Sequence, residues 1–447
     1  MTDQPSKRRS RSVPRSRLSR LGSFGRLAGS VAGGVLAEGT RRIASGERPR
    51  MRDLVMTPRN FSKLTERLSH LRGAAMKLGQ MISMDAGDML PRELAEIMAR
   101  LRDQAHHMPP GQLNRVLESE WGRDWRGQFA HFNATPLAAA SIGQVHRATT
   151  KDGRALAIKV QYPGVRESID ADVDNVATLL RVSGLLPNEL EIGPLLEAAK
   201  TQLRAEADYL HEGAQMRDYA ALLDGDPDYL VPGLQTDLTT GRVLAMTFIE
   251  GVPIERAVGE SQERRDALME ALIRLVLREL FEFGVMQTDP NFANYRYQPD
   301  SGKLVLLDFG ATRPVAAETA NGYRDLLAAG LSEDRDAVRA AAIAAGFINE
   351  TAVVRHRVLV DEMIDIIVEE MNRRDAFDFG DRAFVSVLRD QGMAVAEDRA
   401  SWHIPPADTL FVQRKISGTA LIAARLKARV DVRSMVSDYL GNSVSPA

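Results

Sequence analysis

Asp289-Pro290-Asn291-Phe292-Ala293-Asn294 sets an amide oxygen five residues after a carboxylate. Nineteen residues after Asp289 comes Asp308-Phe309-Gly310, directly behind the apolar run Leu304 to Leu307. Carboxylate and amide oxygens are the ligands a hard cation such as Mg²⁺ takes. A further carboxylate can orient an attacking hydroxyl or water. The set suits phosphoryl transfer, a chemistry made mostly of positioning and charge neutralisation. D-F-G by itself recurs by chance. The ordered pair has the spacing of a catalytic loop followed by a metal-binding loop, and its weight rests on an upstream half.

That half is present. Ala157-Ile158-Lys159-Val160 copies the V-A-I-K strand whose lysine neutralises nucleotide phosphates. Sixteen residues before Lys159 stands Gly143, then Gln144 and Val145, in the places of the third glycine and the valine of G-x-G-x-x-G-x-V. The first two glycine places are Ala138 and Ala140, in Ala138-Ala139-Ala140-Ser141-Ile142-Gly143. Alanine lets backbone N–H groups approach phosphate less freely than glycine does. The loop should be stiffer, with an altered nucleotide preference or slow transfer. Glu250, at the end of a predicted strand, is a further candidate nucleotide contact. The lysine needs a helical carboxylate, and Glu206, Asp208 and Glu212 all offer one. Gln287-Thr288 stands where a protein kinase has His-Arg, and no A-P-E follows the D-F-G. A segment for docking peptide substrates is not expected.

The elements that carry these residues are legible in outline. From Phe61 to about Arg102 apolar residues recur at helical spacing. A short helix is predicted over Leu113 to Trp121, behind Pro109-Pro110. Val145 to Ala148 and Ala155 to Gln161 read as strands around a Lys151-Asp152-Gly153 turn. Residues 165–183 and 193–222 read as helices, Tyr229 to Pro232 and Arg242 to Phe248 as strands. From Ser261 onward the pattern is helical, except for a hairpin between Asn294 and Asp308. The fold class is α+β, a kinase-like two-lobed arrangement with a helical N-terminal extension and a mainly helical C-lobe. The expected divisions are a leader 1–22, an extension 23–135, an N-lobe 136–250, a C-lobe 251–435 and a tail 436–447.

Composition is that of a soluble globular chain: 447 residues, 44% hydrophobic, 26% charged, net charge −2. No overall bias toward nucleic acid follows. With no cysteine, disulfides, thiol catalysis and cysteine-ligated metal are excluded. No uninterrupted apolar run reaches the ~18 residues of a spanning helix. Lys7 to Arg20 holds seven basic residues and no acidic one, a pattern that leaves organelle targeting open. Gly25, Gly29 and Gly33 form either a smooth helical stripe or a linker. His106-His107 is expected to cap a helix or lie exposed rather than bind metal.

The motifs together resemble the UbiB family of atypical kinase-like proteins, the aarF-domain group that includes mitochondrial proteins supporting coenzyme Q synthesis. The resemblance spans residues 15 to 435. It rests on Lys77-Leu78-Gly79-Gln80 for K-x-G-Q, on the alanine loop, on Glu206-Ala207-Asp208 for E-x-D and on Gln287-Thr288-Asp289-Pro290-Asn291. It implies that Glu212 pairs with Lys159, that Asp289 is the catalytic-loop residue, and that Asn294 and Asp308 hold Mg²⁺. Lys77 and Gln80 would cover the peptide-docking place, with Lys77 near Glu206 and Asp208. ATP or ADP with Mg²⁺ is the implied cofactor. The implied function is an ATPase or small-molecule kinase supporting ubiquinone biosynthesis. It would be cytoplasmic or peripheral to the inner membrane, in contact with quinone precursors, lipid and other biosynthetic proteins, with a homodimer allowed. A nucleotide-switched lipid-binding scaffold is the alternative. An aminoglycoside phosphotransferase is a third, disfavoured by K-x-G-Q and the alanine loop.

Overall fold

A computed structural model of the chain describes residues 107–182, 193–396 and 405–441, with Leu68, Leu71, 73–75, 77–79, Ile97, Asp398 and Ser401. The basic leader, the glycine stripe, Gln80 and His106 lie outside the described residues. The chain divides into two units, 1–214 with 233–248, and 215–232 with 249–447.

The first unit is built on an antiparallel sheet. Helix α1 (Pro110–Trp121) precedes strands β1 (Phe129–Phe132), β2 (Ala138–Ala139), β3 (Gly143–Thr150) and β4 (Ala155–Gln161). After helices α2 (Ile169–Val182), α3 (Gly193–Glu206) and α4 (Tyr209–Leu222), β5 (Tyr229–Leu230) belongs to the second unit, and the chain returns for β6 (Val243–Thr247). The order is β1-β3-β4-β6, with β2 against β3. Side chains alternate along a strand. Leu156, Ile158 and Val160 of β4 therefore share one face and are fully buried, in a core with Leu113, Leu117, Trp125 and Phe129. Lys159 and Gln161 take the other face. α1 starts at Pro110, three residues before the predicted start. Proline suits a first helical turn because its missing N–H has no partner to lose there.

His146 sits on β3 with no exposed surface. Its Nδ1 faces the Asn133 carbonyl at 2.8 Å and its Nε2 faces the Gln144 amide nitrogen at 2.9 Å. A carbonyl only accepts, so Nδ1 carries the proton and the ring is neutral. Burial holds its pKa down to about 4, against the Asn133 hydrogen bond, with His107 lowering it further. His107 is itself buried, so of the two expected positions, capping a helix or exposed, it does not take the exposed one. The stability that neutral His146 supplies is complete above its ordinary value of 6.5. It is lost as pH falls from there toward 4, because the unfolded chain binds the proton first. The unfolding free energy from urea titrations between pH 7 and pH 4 should fall by an amount on the order of 3 kcal/mol. His146→Gln should flatten that slope, and an unchanged slope would refute the assignment.

The predicted single helix over 193–222 is broken at Ala207-Asp208. The Gln161 amide donates to the Ala207 carbonyl at 3.0 Å, and the Asp208 carboxylate accepts from the His211 N–H at 3.1 Å. Asp208 thus acts at the N-terminus of α4, satisfying a donor the helix itself leaves open.

In the second unit, β7 (Val252–Pro253) precedes α5 (Gln262–Arg278), capped by Ser261 and followed by a single π turn, Glu279–Phe283. Gly284, at φ +63°, ends the turn in the left-handed region that glycine enters readily. β8 (Val285–Gln287), β9 (Tyr295–Tyr297), β10 (Leu304–Leu306) and β11 (Thr312–Pro314) follow. One sheet runs β5-β10-β9-β7, with β5 and β10 parallel, and β8 pairs with β11. The predicted strand at Tyr229 thus joins this sheet, not that of β4. The rest is mainly helical: α6 (Ala317–Leu331), α7 (Arg335–Ala344), α8 (Glu350–Arg355), α9 (Arg357–Met371), α10 (Ala383–Ala396), α11 (Ala407–Leu426) and α12 (Val432–Gly441). A short pair, β12 (Phe377–Asp378) with β13 (Arg429–Val430), completes it. The α+β class with a helical second half is the expected one.

Candidate active site

In the first unit the Lys159 ammonium donates to both Glu212 oxygens, at 2.8 and 2.9 Å. Of the three carboxylates offered by the sequence, the pair takes Glu212, which is 1% exposed. The Tyr209 ring lies 5.1 Å from the ammonium. Val145 stands directly across the ladder from Lys159.

The alanine loop is a tight hairpin. Ala138 and Ala139 pair with Val145 and Gln144. The Ala140 N–H donates to the Gly143 carbonyl at 2.8 Å, so this N–H is committed within the loop. Gly143 does not have a positive φ. What it supplies is room: a Cβ there would lie 2.5 Å from the Val160 carbonyl oxygen and 2.8 Å from the Tyr209 hydroxyl.

Glu206 ties the loop to the N-terminal extension. One oxygen is 2.5 Å from the Lys77 ammonium, and the other accepts from the Ser141 hydroxyl at 2.7 Å. Lys77 is 4% exposed, so it is not the solvated lysine that a helix position alone suggests. Four residues before it, the place for a Cβ on Gly73 lies 2.9 Å from the Ser141 carbonyl oxygen. Sequence reasoning missed Gly73; its only signal was a small residue one helical turn before Lys77. Asp208 caps α4, its carboxylate accepting from the His211 N–H.

In the second unit two ladders hold the Asp289 and Asp308 loops. The hairpin β9–β10 pairs Tyr295 with Leu306, and just beyond it the Leu307 N–H donates to the Asn294 carbonyl at 3.1 Å. This brings Asn294 next to the residue preceding Asp308. On the other side β8 pairs Gln287 with Thr312, and the Thr288 N–H and hydroxyl both donate to the Ala311 carbonyl, at 3.1 and 2.8 Å. Gln287-Thr288, a departure in the motif, therefore binds the two loops together. The Asp289 carbonyl accepts from the Gln287 amide and the Asn294 amide, both at 2.9 Å, and from the Asn291 N–H at 2.8 Å. Asp308 accepts from the Gly310 N–H at 3.1 Å, and Phe309 is buried against the Tyr219 ring at 5.1 Å. Glu250 is exposed; its carbonyl accepts from Gln298 at 3.1 Å.

One amide and one carboxylate oxygen make a sparse, hard donor set. Among the described residues no cluster of three His, Cys, Asp or Glu side chains stands ready for a metal. Such a set would suit Mg²⁺ in a nucleotide site, where phosphates and water would supply the remaining ligands.

The family model described as the ABC1 atypical kinase-like domain matches residues 100–342, more than half of the chain. The atypical kinase COQ8, mitochondrial, of Saccharomyces cerevisiae is 36% identical over 98% of this chain and 87% of its own length. COQ8B, mitochondrial, of Rattus norvegicus is 38% identical over 96% of this chain and 81% of its own. The chain belongs to the ABC1 atypical kinase-like family. This is the UbiB group that its motifs resemble. The structure of Rv3197 from Mycobacterium tuberculosis, solved with erythromycin, matches with a TM-score of 0.60 at 27% identity, covering 86% of this chain and 96% of that one. The ABC1 match takes in the alanine loop, Lys159, Glu212 and the Asp289 and Asp308 loops, whereas Lys77 and α11 lie outside it.

Proposed function

We propose that this chain is a Mg²⁺-dependent ATPase or small-molecule kinase supporting ubiquinone biosynthesis, and that proteins are not its substrates. The observation that carries this is the buried Lys159–Glu212 pair, which aims a fixed ammonium from the strand where a nucleotide lysine belongs. Lys159 would neutralise the phosphates of ATP or ADP. Ala138, Ala139, Ala140, Ser141, Gly143, Val145 and Glu250 would surround the nucleotide. Asn294 and Asp308 would hold Mg²⁺, which when bound supplies charge neutralisation at the phosphates. Asp289, its backbone pinned by three donors, would orient water or a substrate hydroxyl.

Two observations support exclusion of proteins. Lys77 and Gly73 hold the extension against Ser141 of the nucleotide loop, and no A-P-E docking segment follows the D-F-G. The tie to ubiquinone rests on the coenzyme Q-type Gln287-Thr288-Asp289 motif and on the relatives named COQ8. No helix among the described residues is long and apolar enough to cross a membrane. A peripheral contact with lipid or quinone precursors is accordingly the proposed mode.

Phosphate release from Mg-ATP should be measurable and should rise with anionic, cardiolipin-containing vesicles. Asp308→Asn should lower it by about 10²–10³-fold, the scale for losing one charged group at a phosphoryl site. An Asp308→Asn variant as active as the parent would end this reading.

A further inference from the structure

α11 presents one face to the reacting loop. Phe411, Lys415, Gly418 and Ile422 follow at spacings of four, three and four, which is a single helical stripe. At Phe411 the Arg313 guanidinium stacks 3.9 Å from the ring centre. Arg313 lies on β11, just past the D-F-G loop and opposite Met286 of β8.

Lys415 is wholly buried. Its ammonium lies 3.1 Å from Glu279 Oε2, and donates to Glu279 Oε1 at 3.3 Å, to the Tyr295 hydroxyl at 3.1 Å and to Gln287 Oε1 at 3.3 Å. Glu279, also wholly buried, opens the π turn and accepts from the Tyr219 hydroxyl at 3.0 Å and the Gln287 N–H at 3.3 Å. Gln287 passes the constraint on: its Nε2 donates to the Asp289 carbonyl at 2.9 Å. One turn further along α11, a Cβ on Gly418 would lie 2.1 Å from Pro290 Cγ and 2.6 Å from Pro290 Cβ. Only glycine lets the helix come this near to the residue after Asp289.

A buried ion pair is weak evidence of stabilisation, since apolar residues of similar volume often serve a core as well. Its placement here is more informative than its strength. Both charges converge on Gln287, two residues from Asp289, and the neighbouring glycine seats Pro290.

We propose that the Phe411–Lys415–Gly418 face of α11 is a positioning element for the Asp289 loop. It deepens the phosphoryl-transfer reading given above and rests on it. In protein kinases an activation loop is ordered by new Arg–phosphate pairs. Here Gln287-Thr288 replaces His-Arg, and a C-terminal helix holds the loop permanently. Loop order then needs no phosphorylation of the segment after the D-F-G.

The test uses the full chain and Mg-ATP. Lys415→Met with Glu279→Gln removes both charges without leaving one unpaired. Nucleotide Kd should stay within about twofold, while kcat falls by about 10- to 100-fold, the scale for a misplaced reacting group. Gly418→Ala should lower kcat alike, and Gly418→Ala with Pro290→Gly should regain much of it when compared with Pro290→Gly alone, since glycine removes both crowding carbons. Hydrogen exchange of the 287–294 amides should quicken in the double charge variant and in Gly418→Ala. That readout does not depend on turnover, so a parent that binds Mg-ATP yet releases no phosphate would overturn the enzymatic reading and still test the strut. Parent-like kcat together with parent-like amide protection in both variants would overturn the positioning role. So would a kcat loss that merely tracks the folded fraction, or the lack of any rescue by Pro290→Gly.

Discussion

Glu212→Ala is expected to destabilise the first unit by about 3–5 kcal/mol, because it strips a carboxylate that a buried ammonium binds through both oxygens. Both Lys159 donor contacts to Glu212 are short, and the carboxylate is 1% exposed, so water cannot replace it without opening the packing of α4 on β4. Mg-ATP turnover should fall by about 10²–10³-fold as the lysine loses its fixed aim. A second variant separates the two effects. Lys159→Met with Glu212→Leu removes both charges and fills the volume, and should regain most of the stability. It should regain none of the turnover, since no ammonium remains for the phosphates. Denaturant unfolding and phosphate release read the two quantities independently. A double variant that recovers activity would show that Lys159 is not the nucleotide lysine, and an undiminished stability in Glu212→Ala would show that the pair is not buried in solution.

Gly143→Ala is expected to be the most damaging single-methyl change in the nucleotide loop. The added carbon would stand 2.5 Å from a carbonyl oxygen of β4 and 2.8 Å from the hydroxyl of the fully buried Tyr209. Neither can withdraw cheaply. The carbonyl belongs to backbone held in the sheet, and Tyr209 opens α4 three residues before Glu212. Overpacking of this kind costs about 1–3 kcal/mol. Thermal unfolding should report it before any nucleotide is added. Gly153→Ala is a contrasting control. No atom lies within 4 Å of its would-be Cβ, but its φ is +91°, so any cost there is conformational. If Gly143→Ala keeps the parent melting temperature and loses only nucleotide affinity, the glycine serves phosphate approach and not sheet packing.

The loop glycines show how far a motif explains itself. Gly143 was legible as the last glycine of a phosphate loop, but the structure assigns it to the junction of β3, β4 and Tyr209. The alanines were legible as stiffening; the structure pairs Ala138 and Ala139 with Val145 and Gln144 in a ladder. Gln287-Thr288 was legible as a departure from His-Arg and as part of the family resemblance. Its use, tying the Asp289 loop to Ala311, depends on a strand pairing that short-range spacing does not reveal.

By itself the sequence determined the chemistry-bearing residues whose placement is local. Lys159 follows from the two-residue alternation of β4, and Asn294 and Asp308 follow from a short hairpin that returns the chain to its start. It also determined the α+β class, through the change of hydrophobic period from two to about 3.6. Spacing left open which acid each cation meets, the family resemblance implied it, and the tertiary structure gives the physical reason. The break at Ala207-Asp208 resets the helical phase, sending Glu206 to Lys77 and Ser141, Asp208 to the start of α4 and Glu212 to Lys159. That break is held by Gln161, 46 residues away. The hold of Lys415 on Gln287 spans 128 residues. Contacts at such separations arise from packing of whole elements, and no local pattern of residues encodes them.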